Sequence, residues 1–168
     1  RTAAVRGAGG RSRTVPPMGP DGVATHHHRD FSLGRLLAAK EATGSTVSLV
    51  LPARDEEATV ASVVAALLPL RDAGLLDEVV VVDSLSTDGT ARAAADAGAT
   101  VVAVTDVAPE IPAGAGKGEA MWRGLHATSG DVVAFCDTDV LDAGPRFALG
   151  LVGPLLTDPD VHLVKGFY

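Results

Sequence analysis

Short runs that are apolar at nearly every position alternate with longer helical patterns along this chain, and that alternation restricts the fold more than any other feature. The runs "TVSLVLPA" (46–53), "DEVVVVDS" (77–84), "ATVVAVT" (99–105) and "DVVAFCD" (131–137) lack the apolar/polar alternation of a half-solvated strand. Both faces of such strands must be buried, the condition of a parallel sheet. Between them, "EEATVASVVAALLPL" (56–70) reads as a helix with Asp55 as its N-cap. "STDGTARAAADAG" reads as a second helix, capped by Ser86 or Thr87 and stopped at Gly98. A Pro/Gly-rich loop, "APEIPAGAGKG", leads to a helix from about Lys117 to Thr128, ended by Gly130. "FSLGRLLAAKEA", from Phe31 to Ala42, predicts a short entry helix, and "VHLVKGFY" (161–168) a fifth strand. Apolar strands joined by helices make an α/β, Rossmann-like domain with a mostly parallel sheet covered on both faces. Ligands of such sheets bind outside the carboxyl ends of the strands. The polar clusters of this sequence fall at those ends.

At 168 residues the chain fits one domain by the usual ~100 to 200 residues per domain. Residues 31–168 are expected to form it, and the Arg/Gly/Pro-rich residues 1–30, which show no periodicity, are expected to be a disordered tail. The adjacent His26, His27 and His28 in that tail read as incidental rather than as a metal site. The tail carries five arginines against Asp21 and Asp30, so the net charge of −7 leaves −10 on the rest. An acidic body argues against nucleic acid as a partner and suits a domain that recruits cations. No apolar run approaches the roughly 18 residues of a membrane span, and the N-terminal stretch lacks the apolar core of a signal peptide. The expected location is cytoplasmic. Cys136, inside an apolar strand, reads as a small buried hydrophobe.

Four clusters could carry chemistry. "PARDEE" (52–57) follows the first long strand, where its acidic residues either favour a helix N-terminus or face a ligand. In "DSLSTDGT" (83–90) capping accounts for Ser86, Thr87 and Asp88 but not for Asp83 and Ser84 at the strand tip, which point to ligand contact. "GAGKGEAMW" (114–122) is a glycine loop with a lysine at a helix start, so the backbone can approach an oxyanion and Lys117 can add charge to a phosphate. It is not a Walker A loop, because no Ser or Thr follows Lys117, and no G-x-G-x-x-G follows the first strand. Met121 and Trp122 read as core. Finally, "DTD" (137–139) puts the carboxylates of Asp137 and Asp139 on alternate positions of an extended chain, where both can face the same way. Carboxylates that close repel unless a cation intervenes, and Mg2+ or Mn2+ takes one or two of them, completing its shell with phosphate oxygens and water. Asp142 reads as solvating the exit turn.

Together "VSLVLPARDEEATVASVV", "DEVVVVDSLSTDGT", "PAGAGKGEAMWRGL" and "SGDVVAFCDTDV" resemble the nucleotide-sugar domain of GT-A glycosyltransferases, and more narrowly the actinobacterial glucosyl-3-phosphoglycerate synthases. "LVGPLL" and "LVKGFY" extend the likeness over Phe31 to Tyr168. The resemblance implies transfer of glucose from UDP-glucose to 3-phosphoglycerate with retention, on the route to methylglucose lipopolysaccharides, by an enzyme that is a homodimer at full length. It implies that Pro52, Ala53 and Glu56 line the uridine pocket, that Ser84 contacts the uracil, that Lys117 lies beside the diphosphate or sugar, that Asp137 contacts the ribose side of the donor and that Asp139 binds the metal. No catalytic nucleophile is nominated. The chain departs from the family at Asp55, usually asparagine, and Arg54, usually apolar. It also stops about halfway through the expected enzyme, so the acceptor region, a histidine metal ligand and the dimer contacts are expected to be absent.

A mannosyl-3-phosphoglycerate synthase using GDP-mannose, or an inactive nucleotide-sugar-binding fragment, remain the alternatives. An aspartate-nucleophile phosphatase also ends a strand in D-x-D, but there it is the first strand, with a lysine far downstream. Here three strands precede the motif and 29 residues follow Asp139.

Overall fold

A computed structural model describes residues 3–6, 23–114, 116–140 and 144–166. In chain order its elements are β1 (Ala3–Arg6), α1 (Leu33–Thr43), β2 (Val47–Ala53), α2 (Val60–Asp72), β3 (Glu78–Asp83), α3 (Thr90–Asp96), β4 (Thr100–Ala103), α4 (Lys117–Ala127), β5 (Val132–Phe135), α5 (Pro145–Thr157) and β6 (Leu163–Lys165). They build one sheet in the order β4-β3-β2-β5-β1-β6. Strands β4, β3, β2 and β5 are mutually parallel, and β1 runs antiparallel to both β5 and β6.

The sheet is apolar on both faces because the strand period of two distributes each run between two cores. From β2 and β3, Val47, Leu49, Leu51, Val79 and Val81 join the larger core with residues of α1, α2 and α5. Val50, Val80 and Val82 point the other way, into a smaller core with Ala120 of α4 and Phe135. Close approach of α4 to the sheet depends on Gly124, where a Cβ would stand 2.4 Å from Val50 Cγ1. Met121 packs against the smaller core, while Trp122 is half-buried, its ring 4.3 Å from that of His126. Buried Cys136 is free, and its thiol is raised to about 11 by burial first and by the neighbouring Asp137 charge second. A thiol so rarely ionised is a packing group, not a nucleophile.

The structure departs from the expectations above at several places. Ala3–Arg6 is a sheet strand, paired from Ala3 opposite Phe135 to Arg6 opposite Val132. An inserted strand draws its stability from backbone ladders on both sides, which side-chain composition does not announce. Further along the expected tail, His28–Asp30 form a 3-10 turn, with the His27 N–H donating to Asp30 Oδ2 at 2.8 Å. That turn and the buried Phe31 pack on α5, where a Cβ at Gly153 would fall 2.4 Å from the Phe31 ring. Residues 1, 2 and 7–22 of the expected tail lie outside the described residues, as do Asp142 and the last two residues of the 161–168 strand. Helix α5 was not anticipated, because Gly144 and two prolines punctuate its sequence. Pro145 occupies the first helical turn, where its missing N–H costs nothing. No described helix is long and apolar enough to cross a membrane.

Candidate donor-binding cleft

From β2 the chain proceeds to β3 and β4 on one side of the sheet and returns to β5 on the other, so the strand order reverses between β2 and β5. Such a switch point opens a crevice at the carboxyl ends of the strands. A cleft of about 230 Å3 lies there. Pro52, Ala53, Glu56, Ser84, Lys117, Asp137 and Asp139 all line it, together with Arg54, Gly116, Ala120 and Thr138.

Two turns form one wall. Asp55, at φ 55° in the left-handed region, does not cap α2, which begins only at Val60. Its Oδ1 accepts from the Thr87 N–H at 2.7 Å, while its own N–H donates to Ser86 Oγ at 3.0 Å. Ser86 and Thr87 are therefore occupied by the neighbouring turn rather than by α3, whose first residue is Thr90. Asp88 Oδ1 accepts instead from the Thr90 hydroxyl at 2.5 Å and from the Thr90 N–H at 2.9 Å, and these contacts, the hydroxyl's foremost, hold the Asp88 carboxyl below its ordinary range. The Glu56 N–H donates to Thr90 Oγ1 at 2.7 Å, and the Gly89 N–H to Glu57 Oε2 at 3.0 Å. The Ser84 N–H donates to the Ala53 carbonyl at 2.8 Å. Pro52–Glu56 and Ser84–Thr90 are thus tied together by hydrogen bonds along their length. Asp83 is buried beneath the second turn, its Oδ2 accepting from the Ser86 N–H, and it is not among the cleft-lining residues.

This bracing gives a first prediction. Asparagine shares aspartate's tolerance of the left-handed region and its local acceptor, so Asp55→Asn should unfold within about 0.5 kcal/mol of the parent. Asp55→Ala loses both and should be destabilised by about 1 to 2 kcal/mol in urea unfolding. Equal stability of the two variants would show that the turn does not need this side chain.

The opposite wall comes from α4 and the chain after β5. Lys117 opens α4 behind Gly116, at φ 95°, so the helix N-terminus and the ammonium share one side of the cleft. Lys117 Nζ is ion-paired to Asp137 Oδ1. Burial pushes the Asp137 carboxyl upward, but its cationic surroundings, with the Lys117 hydrogen bond foremost, outweigh that and leave it below its ordinary value. Thr138, the middle residue of D-x-D, is buried and donates from Oγ1 to the Pro52 carbonyl at 3.2 Å, tying the ends of β2 and β5 together. Asp139 is exposed at the rim.

No cluster of three His, Cys, Asp or Glu side chains that could hold a metal occurs among the described residues. A closed protein cage is therefore not what these residues build. The carboxylates of Asp137 and Asp139, two of the three acidic residues that line the cleft, do fit a hard cation that completes its shell with phosphate oxygens and water. Arg54, Gly116, Ala120 and Thr138 lie within the clusters read from the sequence but were not singled out as lining residues; the strand period of two would have marked Thr138 as the inward residue between two outward aspartates.

A doubly wound sheet with a carboxylate-bearing cleft at its switch point, walled by glycine-rich and hydroxyl-rich turns, defines a GT-A-like domain. Residues 48–164 match the profile of Glycosyl transferase family 2, and the chain belongs to that family. It is similar to the curated glucosyl-3-phosphoglycerate synthase of Mycobacterium tuberculosis (strain CDC 1551 / Oshkosh), 48% identical over 161 residues that make up 96% of this chain and 48% of that protein. The crystal structure of the M. tuberculosis glucosyl-3-phosphoglycerate synthase superposes with a TM-score of 0.78 at 51% identity, covering 82% of this chain and 50% of the other. A structure of that enzyme in complex with Mn2+, UDP-glucose and phosphoglyceric acid superposes with a TM-score of 0.72 at 52% identity, covering 76% and 44%. The chain spans about half the length of the curated relatives it matches.

Proposed function

We propose that this chain is the donor-binding part of a glucosyl-3-phosphoglycerate synthase, transferring glucose from UDP-glucose to 3-phosphoglycerate with retention of configuration. The observation that carries the reading is the convergence of Pro52, Ala53, Glu56, Ser84, Lys117, Asp137 and Asp139 on one cleft. The mycobacterial enzyme crystallised with Mn2+, UDP-glucose and phosphoglyceric acid supports the choice of substrates. In this reading the braced turns, through Pro52, Ala53, Glu56 and Ser84, receive the uridine. Asp137 accepts from the ribose side, held in its charged form by Lys117. The Lys117 ammonium neutralises negative charge as it develops on the departing UDP, in a cleft where preorganised charge is worth more than in water. Asp139 holds Mg2+ or Mn2+ against the diphosphate. When bound, the cation supplies further positive charge to the leaving group. The family likeness also has the full-length enzyme as a cytoplasmic homodimer.

The test is calorimetric titration of the chain with UDP-glucose and with GDP-mannose, each with and without Mg2+. Metal-dependent binding of UDP-glucose alone is expected. Preference for GDP-mannose would overturn the donor assignment, and binding indifferent to metal would overturn the role of Asp139.

A further inference from the structure

We propose that Arg123 is a positioning residue for this cleft: from outside it, the buried guanidinium sets the course of residues 107–114 and so presents Gly116 and Lys117 to the diphosphate. The inference rests on the donor-site reading and deepens it.

Arg123 has no exposed surface, although it carries a permanent charge. Its Nε donates to Glu119 Oε1 at 2.8 Å, one turn earlier on α4. Nη1 donates to the carbonyls of Val107 and, at 2.7 Å, Ala108. Nη2 donates to the Ile111 carbonyl at 2.8 Å and more distantly to that of Pro112 at 3.4 Å. The Trp122 ring lies 4.9 Å from its Cζ. Glu119 in turn accepts from the Gly114 N–H. One Arg–Glu pair thereby grips five residues of the β4–α4 connection.

A buried charge is costly unless every donor is paired, and a hydrophobe of similar volume would fill the space at lower cost. What only arginine offers is a planar fork of five N–H groups, matched here to the carbonyls of a segment with no helix or strand to satisfy them. The segment is not relaxed on its own, since Ala108 sits at φ 47°. It leads to Gly116 and Lys117, which line the cleft. A displacement there of about 1 Å would misplace the ammonium, and such errors cost up to ~100-fold.

The test separates the two walls. The uracil of uridine engages the braced turns and its ribose reaches Asp137, whereas only UDP carries the diphosphate that needs the Gly116–Lys117 side. Arg123→Lys keeps the charge but cannot reach the same set of carbonyls. It should weaken UDP binding in the presence of Mn2+ on the order of tenfold by calorimetry, leave the affinity for uridine, followed by NMR shift titration, unchanged, and speed amide hydrogen exchange across 107–114. Glu119→Ala, at a half-buried site, should shift UDP affinity in the same direction and carries the test if Arg123→Lys does not fold. Equal losses for uridine and UDP, or none for either, would overturn the inference and leave Arg123 as a stability element. Failure of the parent chain to bind UDP would instead overturn the donor-site reading, and this inference with it.

Discussion

Replacing Asp139 with alanine is expected to abolish the metal-dependent part of UDP-glucose binding, lowering affinity in the presence of Mn2+ on the order of 100-fold, while thermal unfolding stays cooperative at nearly the parent temperature. The two halves of that expectation have separate causes. Asp139 is exposed and lies beyond the end of β5, so its truncation removes no packing and should change stability by less than about 0.5 kcal/mol. Its carboxylate nevertheless lines the cleft, exposed at the rim, in no ion pair with a described cation. Asp137, by contrast, is already committed to Lys117. Calorimetry with and without Mn2+, beside a melting curve, checks both parts. Tight binding that still depends on metal in the Asp139→Ala protein would move the cation site elsewhere.

Leu51→Ala should act in the opposite way, destabilising the fold by about 3 kcal/mol, within the 2 to 5 kcal/mol of buried leucine truncations. Leu51 has no exposed surface, belongs to the larger core, and sits on β2 between two parallel neighbours. The cavity cannot collapse readily, because Val81 of β3 pairs with Leu51 on one side and the ladder to β5 holds the backbone up to Val50 on the other. A loss of that size is a large share of the 5 to 15 kcal/mol that holds a domain together. Urea unfolding should show a lowered midpoint with an unchanged slope. Just enough remaining stability at low temperature would let donor binding be measured, and affinity close to the parent's is expected there, since Pro52 and Ala53 remain tied to Thr138 and Ser84. A change below about 1 kcal/mol would mean that β2 is not the core strand described here.

The strands were legible because their signal is local. A run such as Val79–Val82 excludes a solvated face whatever surrounds it, and four such runs separated by helical patterns leave little but a parallel, doubly covered sheet. The cleft residues were legible for a related reason: β2, β3 and β5 are parallel neighbours, so their carboxyl ends must share one edge, and the polar residues that follow each strand meet there. The starts of α2 and α3 were not, since Asp55, Ser86 and Thr87 have the right chemistry for capping but spend it on one another, as from Thr87 to Asp55 across 32 residues, whereas α4 begins at Lys117 as expected. Nor was α5, whose internal Pro154 reads as a break yet lies in a buried helix face.

What the sequence by itself determined was therefore the class of fold, the edge of the sheet where the cleft opens, and most of the side chains along it, because burial periodicity and strand-tip polarity are properties of short windows. Only the tertiary structure decided that Ala3–Arg6 completes the sheet beside β5, that two turns brace one wall, that Lys117 pairs with Asp137, and that Arg123 is buried under the loop leading to Lys117. Each of these is a polar or backbone contact between segments distant in sequence, and its partner is set by the folded backbone rather than by neighbouring residues.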